Sequence, residues 1–156
     1  MKIKAIAITI SDSRKIANDV SGEVLIKCLR EIDAEIVDNF IISDDLAVIV
    51  ETLETQSVRA NLIITTGGTG FSPRDNMPEA TLLVIEKEAP GIAETIRFET
   101  SKKTPTAILS RGVCGIRGNC LIVNFPGSPK AVQECFDVIK SVLPHVINLI
   151  TGNSEH

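Results

Sequence analysis

Tryptophan and tyrosine are absent from this chain of 156 residues, and phenylalanine occurs only five times. The aromatic platforms on which single-stranded nucleic acids stack are therefore missing. No long block of one charge exists either: sixteen Lys and Arg stand against twenty Asp and Glu, for a net charge of −4. That balance disfavours nucleic-acid binding driven by counterion release. Cys28, Cys114, Cys120 and Cys135 form no C-x-x-C pair, and two histidines, His145 and His156, are too few for a zinc constellation. Cys114, Cys120 and His145 read as packing or surface residues. The cysteines as a group fit a reduced compartment, which points to the cytoplasm. No membrane-length apolar run is present: Ile3–Ile10 is interrupted by Lys4 and closed by Ser11-Asp12-Ser13-Arg14, which fits neither a signal peptide nor a membrane span.

What is present is a balance of 44% hydrophobic and 23% charged residues, as expected for one globular domain covering residues 1–156. Apolar runs suited to buried strands are Ile3–Ile10, Ala34–Ile42, Asn61–Thr66, Thr106–Ser110, Cys114–Arg117 and Asn119–Phe125. Helical spacing appears in Val20, Val24, Leu25, Cys28, Leu29 and Ile32, with Asp19 or Ser21 available as cap. It recurs in Leu46, Ile49, Val50 and Leu53 behind the cap Ser43, then from Pro78 to Lys87 and from Gly91 to Ser101. Ser128–Ile150 reads as helical with a break at Pro144. Strands alternating with helices predict an α/β domain of three layers, α/β/α, around a mostly parallel sheet. Ligands of such sheets sit beyond the carboxyl ends of the strands. The loops of interest are therefore Ser11–Arg14 with Asp12, Ser43–Asp45, Thr66–Asp75, Ser110-Arg111 and Asn124–Pro129.

The strongest local signal is Thr65-Thr66-Gly67-Gly68-Thr69-Gly70, directly after a strand. Bare backbone N–H groups there can converge on an anion such as phosphate; the alternative is a tight turn that needs positive φ. It is not a Walker loop, because no Gly-Lys-Ser/Thr follows. Beyond it, Asn76 and Glu79 have capping-box spacing, with Pro78 in the first turn. Asp75 can hold Mg²⁺ beside a substrate phosphate, and Arg74 can clamp a phosphate, or the pair can simply be solvated. Asp44 and Asp45 follow Ser43, where a helix N-terminus favours carboxylates without any chemistry. Asn124-Phe125-Pro126-Gly127-Ser128-Pro129 has a structural reading too, with Gly127 turning the chain and Ser128 capping. Ser110-Arg111 places a hydroxyl and a cation at the same end of the sheet.

At these residues the chain resembles the molybdenum-cofactor biosynthesis family that includes MogA and MoaB, and whose domain also occurs in plant cofactor synthases and gephyrin. The matching stretches are Ser11-Asp12-Ser13, Asp19–Gly22, Thr65–Gly70, Arg74–Thr81, Pro90-Gly91, Ala107–Arg111 and Asn124–Val132, in order along nearly the whole chain. The resemblance implies adenylylation of molybdopterin: its terminal phosphate attacks the α-phosphate of Mg-ATP and pyrophosphate leaves. It places molybdopterin binding on Thr66, Gly67, Gly68, Thr69 and Gly70, and catalytic, metal-holding carboxylates on Asp75 and Asp44, with Asp45 as the adjacent alternative. The remaining substrate-binding candidates, from their loops, are Asp12, Arg74, Ser110, Asn124, Pro126, Gly127 and Ser128. Mg²⁺ is the implied cofactor, ATP and molybdopterin the substrates, and a homotrimer the assembly, with no nucleic-acid or membrane partner. Met77 stands where the family commonly has Thr, and the chain lacks the insertion of longer members between Lys140 and Pro144. A trimeric carrier that holds molybdopterin without turnover is the alternative function; a weaker third is a transferase or hydrolase of another phosphorylated nucleotide.

Overall fold

A computed structural model describes residues 2–12 and 18–153; Ser13 and Arg14 of the loop after the first strand, and His156, lie outside them. In chain order the elements are β1 (Lys4–Ile10), α1 (Val20–Glu31), β2 (Glu35–Ile42), α2 (Leu46–Gln56), β3 (Leu62–Thr66), α3 (Met77–Val84), β4 (Lys87–Glu88) and α4 (Pro90–Ser101). A 3-10 helix (Pro105–Leu109), β5 (Cys114–Arg117), β6 (Cys120–Phe125), α5 (Pro129–Ile139) and α6 (Leu143–Ile150) follow. The sheet has the order β2-β1-β3-β6-β5-β4. β2, β1, β3 and β6 run parallel, and β5 and β4 close the edge antiparallel. This is the expected three-layer α/β architecture.

Alternation along the central strands builds the two cores, because successive side chains point to opposite faces. Ala5, Ala7, Leu62, Ile64, Leu121 and Val123 pack with Leu25 and Leu29 of α1, Ile96 of α4, Phe136 of α5 and Leu143 of α6. Ile6, Ile8, Ile10, Ile63 and Ile122 face the other way, onto Ile49 and Leu53 of α2 and Met77, Ala80 and Val84 of α3. The connection after β1 leads to one of its neighbours and the connection after β2 to the other, so the winding reverses beside β1. The crevice of such a reversal lies beyond the carboxyl ends of the strands.

Several expected boundaries move. Thr106–Ser110 is not a strand: Pro105 opens a 3-10 helix, closed by Ala107 N–H donating to the Thr104 carbonyl (2.9 Å) and Ser110 N–H to that of Ala107 (3.1 Å). Pro105 fixes φ and lacks an N–H, and the segment lies outside the sheet with Ile108 exposed. The helix expected to reach Lys87 stops at Val84, because Ile85 turns extended and Glu86 N–H joins the Ile116 carbonyl at 2.8 Å. The break in the last helical stretch falls after Ile139, and Pro144 sits harmlessly in the first turn of α6. Asp45, not Ser43, caps α2 by accepting from Val48 N–H. Asn76 makes no capping bond to α3 and instead donates from Nδ2 to the Asp44 carbonyl at 2.9 Å. Asp19 and Ser128 cap α1 and α5 as expected.

Candidate functional site

Three strand ends meet in one place. Gly67 leaves β3 with φ +102°, where a Cβ would stand 2.6 Å from the Ile10 carbonyl oxygen, and Gly68 follows with φ +72°. Only glycine relaxes into that conformation at that closeness. Gly67 N–H donates to the Phe125 carbonyl (3.0 Å), and the Thr66 hydroxyl donates to that of Pro126 (2.7 Å), tying the loop after β3 to the loop after β6. Ser21 of α1 adds a hydroxyl bond to the Gly127 carbonyl at 2.5 Å. Among the described residues, no acceptor meets the amides of Gly68, Thr69 or Gly70. These amides are the donors that an anion can use.

A cavity of about 410 Å³ opens against this loop. Gly67–Gly70 and Asp75 form one wall, Pro126, Gly127 and Ser128 lead into a second, and Ser110 closes from the 3-10 side. α5 directs its N-terminus here, with Ser128 Oγ accepting from Ala131 N–H at 3.1 Å, so the helix end adds positive potential. Thr100, Thr104, Lys130 and Glu134 also line it. Cys135 also touches the cavity, but burial pushes its thiol up to about 12, which keeps it protonated and unreactive.

The acidic side of the site comes from loops after β1, β2 and β3. Asp12 pairs with Arg74 and accepts from Asp44 N–H at 3.1 Å. Burial raises the Asp44 carboxyl above its ordinary value, and Asp12 and Asp75 add to the rise while Arg74 opposes it. Asp75 accepts from Ser72 N–H at 2.9 Å, and its Oδ2 would stand 2.8 Å from a Cβ at Gly70. Among the described residues no cluster of three or more His, Cys, Asp or Glu is arranged to hold a metal. Mg²⁺, however, ordinarily takes one or two carboxylates and completes its shell with substrate phosphates and water. Asp44 and Asp75 fit that requirement, since mutually repelling carboxylates beside the glycine loop favour a cation between ligand and protein.

Arg111 fastens the glycine loop after β3. Its backbone N–H donates to the Thr69 carbonyl (2.8 Å), its Nε to the Gly70 carbonyl (2.8 Å) and its Nη2 to the Asp75 carbonyl (3.0 Å). The rest of the guanidinium grips both oxygens of Glu79, at 3.0 and 2.9 Å. This pairing holds the Glu79 carboxyl below its ordinary value. Glu79 therefore serves Arg111 rather than the capping box its spacing suggested.

Of the residues singled out in the sequence, Gly67, Gly68, Thr69, Gly70, Asp75, Ser110, Pro126, Gly127 and Ser128 line one cavity. Asp12, Asp44 and Arg74 gather at its acidic flank. Asn124 and Thr66 do not reach it. Asn124 is buried, with Nδ2 donating to the hydroxyls of Thr65 (3.1 Å) and Thr81 (3.0 Å) and Oδ1 accepting from Val113 N–H (3.0 Å). Its position two after Ile122 puts it on the α3 side of β6, a direction that strand alternation alone indicates. No local pattern in the sequence marks Lys130, Glu134 and Thr100, on helices, or Thr104, the cap of the 3-10 helix, because they converge only through packing.

The chain matches the family model described as "Probable molybdopterin binding domain" over residues 6–145. It is 46% identical over 149 residues to the molybdenum cofactor synthesis protein cinnamon of Drosophila melanogaster, covering 92% of this chain and 25% of that protein. The chain thus spans a quarter of that relative. It is 38% identical over 145 residues to a molybdopterin adenylyltransferase of Helicobacter pylori, covering 90% of this chain and 82% of that one. The crystal structure of the molybdopterin biosynthesis enzyme MoaB from Thermus thermophilus superposes with a TM-score of 0.88 at 38% identity, over 96% of this chain and 97% of that one. The Mog protein of Mycobacterium ulcerans gives 0.88 at 36% identity, over 95% and 99%.

Proposed function

The chain belongs to the family of probable molybdopterin-binding domains, and from that premise we infer that it is a molybdopterin adenylyltransferase. The observation that carries this reading is the single cavity in which the unpartnered Gly68–Gly70 amides, the α5 N-terminus and the Asp75 carboxylate converge. The terminal phosphate of molybdopterin rests against the loop, where it attacks the α-phosphorus of ATP. An oxygen–phosphorus bond forms, the bond from the α-phosphorus to the bridging oxygen breaks, and pyrophosphate leaves. Such nucleotidyl transfer asks the protein for alignment and charge stabilisation rather than a covalent nucleophile. This agrees with thiols that stay protonated. Asp75 and Asp44 would hold Mg²⁺, which when bound would neutralise phosphate charge. Arg74 is the cation on the same flank and engages phosphate in exchange for Asp12.

The assembly is a homotrimer. Supporting it, α4 and the 3-10 helix packed against it expose Phe98 and Ile108, each 64% accessible, an apolar surface suited to a partner copy. The protein works in the cytoplasm, in keeping with four cysteines that are all free and buried. No helix among the described residues is long and apolar enough to cross a membrane.

The test is molybdopterin-dependent pyrophosphate release from Mg-ATP, with Asp75→Asn and Asp44→Asn beside the wild type. Turnover by the wild type and a loss of roughly 100-fold or more in kcat for Asp75→Asn are expected, the scale of removing one charge-stabilising group. Wild-type protein that binds molybdopterin but releases no pyrophosphate refutes the enzyme and leaves a carrier.

A further inference from the structure

We propose that Glu134 is the specificity-determining residue of the cavity, its carboxylate reading the 2-amino and N3–H edge of the pterin ring. The proposal rests on the molybdopterin reading above and assigns the stretch of the cavity wall along α5 beyond its cap Ser128. Glu134 lies in the second turn of α5 and faces Lys130 one turn earlier, with Nζ 3.8 Å from Oε1. An ordinary surface pair at this spacing leaves both side chains in water. Here the Lys130 side chain is 74% exposed and that of Glu134 only 13%. Its other oxygen accepts from the Thr104 hydroxyl at 3.3 Å, which draws the carboxylate toward the 3-10 side of the cavity.

A carboxylate offers about four acceptor sites, and Thr104 is the one hydrogen-bond donor that reaches this one within the described residues. Withdrawing a charge from water without filling those sites is costly. A ligand with two parallel N–H donors repays it best, because a bidentate pair matches both oxygens at once. The 2-amino-4-oxo pyrimidine edge of a pterin presents that pair, from the 2-amino group and N3. A phosphate does not: it carries the same sign as Glu134 and belongs with the Gly68–Gly70 amides. The cavity is therefore polar in an ordered sense, with donors for the anion at Gly68–Gly70 and an acceptor for the heterocycle at Glu134. Its volume of about 410 Å³ accommodates one such ring system. Thr104 acts on the ring through Glu134, and is a positioning residue.

The experiment compares 6-hydroxymethylpterin phosphate with its lumazine counterpart, in which oxygen replaces the 2-amino group, by fluorescence titration of the full chain. Wild type prefers the pterin by roughly 10- to 100-fold, the range of a charged hydrogen-bond pair. Glu134→Gln, which keeps shape and removes charge, loses most of that preference while the affinity for pyrophosphate stays unchanged; Glu134→Asp recovers part of it. In turnover, KM for molybdopterin rises and KM for ATP does not. Equal preference for pterin in wild type and Glu134→Gln, with both proteins folded by circular dichroism, overturns the proposal. Because the titration needs no turnover, an inactive wild type that still prefers the pterin sinks the transferase reading and leaves Glu134 in its role.

Discussion

Asp44 is unfavourable to the fold at neutral pH and, in the proposed function, a ligand of the site's cation. Its carboxyl is raised by burial and by Asp12 and Asp75, so the folded protein takes up a proton more readily than the unfolded chain. The stability linked to this group is therefore fully present below the unfolded carboxyl value and is lost as pH rises through the folded one. At neutral pH the ionised Asp44 is a standing cost. Asp44→Asn is expected to raise Tm at pH 7, with the gain shrinking as the pH is lowered toward the ordinary carboxylate range, while adenylylation falls. Thermal melts at pH 4 and pH 7 decide it; a variant less stable than wild type at both contradicts the account. The neighbouring Asp45 differs because its oxygen already serves Val48 N–H. Adjacent carboxylates thus divide into one that caps a helix and one available to a cation.

Helices and loops meet at Arg111, which joins the end of the 3-10 segment to the glycine loop and the first turn of α3. One planar guanidinium serves Gly70, Asp75 and Glu79 together, a task for which a lysine ammonium has the charge but not the fork. Arg111→Lys should lower kcat/KM by roughly tenfold or more, since a displaced reacting group is penalised steeply. It should also reduce stability near neutral pH. The Glu79 carboxyl is held low by Arg111, so this stabilisation exists above the unfolded carboxyl value and disappears as pH falls through the folded one. Melting curves of variant and wild type should accordingly draw together in acid. Unchanged kcat/KM in Arg111→Lys would mean that the loop keeps its shape without the clamp.

For the whole molecule, the consequential surface is the apolar one on α4 and the 3-10 helix. Phe98 and Ile108 stand on elements packed together, and the same 3-10 segment lines the cavity through Leu109. A trimer assembled through this face, as proposed, would couple the oligomer to the site wall. Light scattering should give about three times the chain mass of 16.8 kDa. Phe98→Asp, which sets a charge in the interface, should shift the mass to one chain. A wild type of single-chain mass at micromolar concentration is the result that removes the trimer.

The architecture was readable because it follows from short-range patterns. The Ile-rich β1, the periodic face of α1 and the glycines after β3 each carry their signal within a few residues, where period and backbone freedom are local properties. At Glu79 a distant partner overrode the local pattern, turning it from a capping box to Arg111, whereas the 3-10 helix at Pro105 and the cap at Asp45 follow from immediate neighbours. Glu134 and Thr104 form the other kind of case, lying 30 positions apart in the chain and meeting only when α5 and the 3-10 helix wall the same cavity. Neighbouring residues alone mark most of the strands and helices and the glycine loop after β3, since period and backbone freedom are local properties. Only the tertiary structure decided which side chains share that cavity, because crossover connections bring together residues whose spacing in the chain carries no record of their meeting.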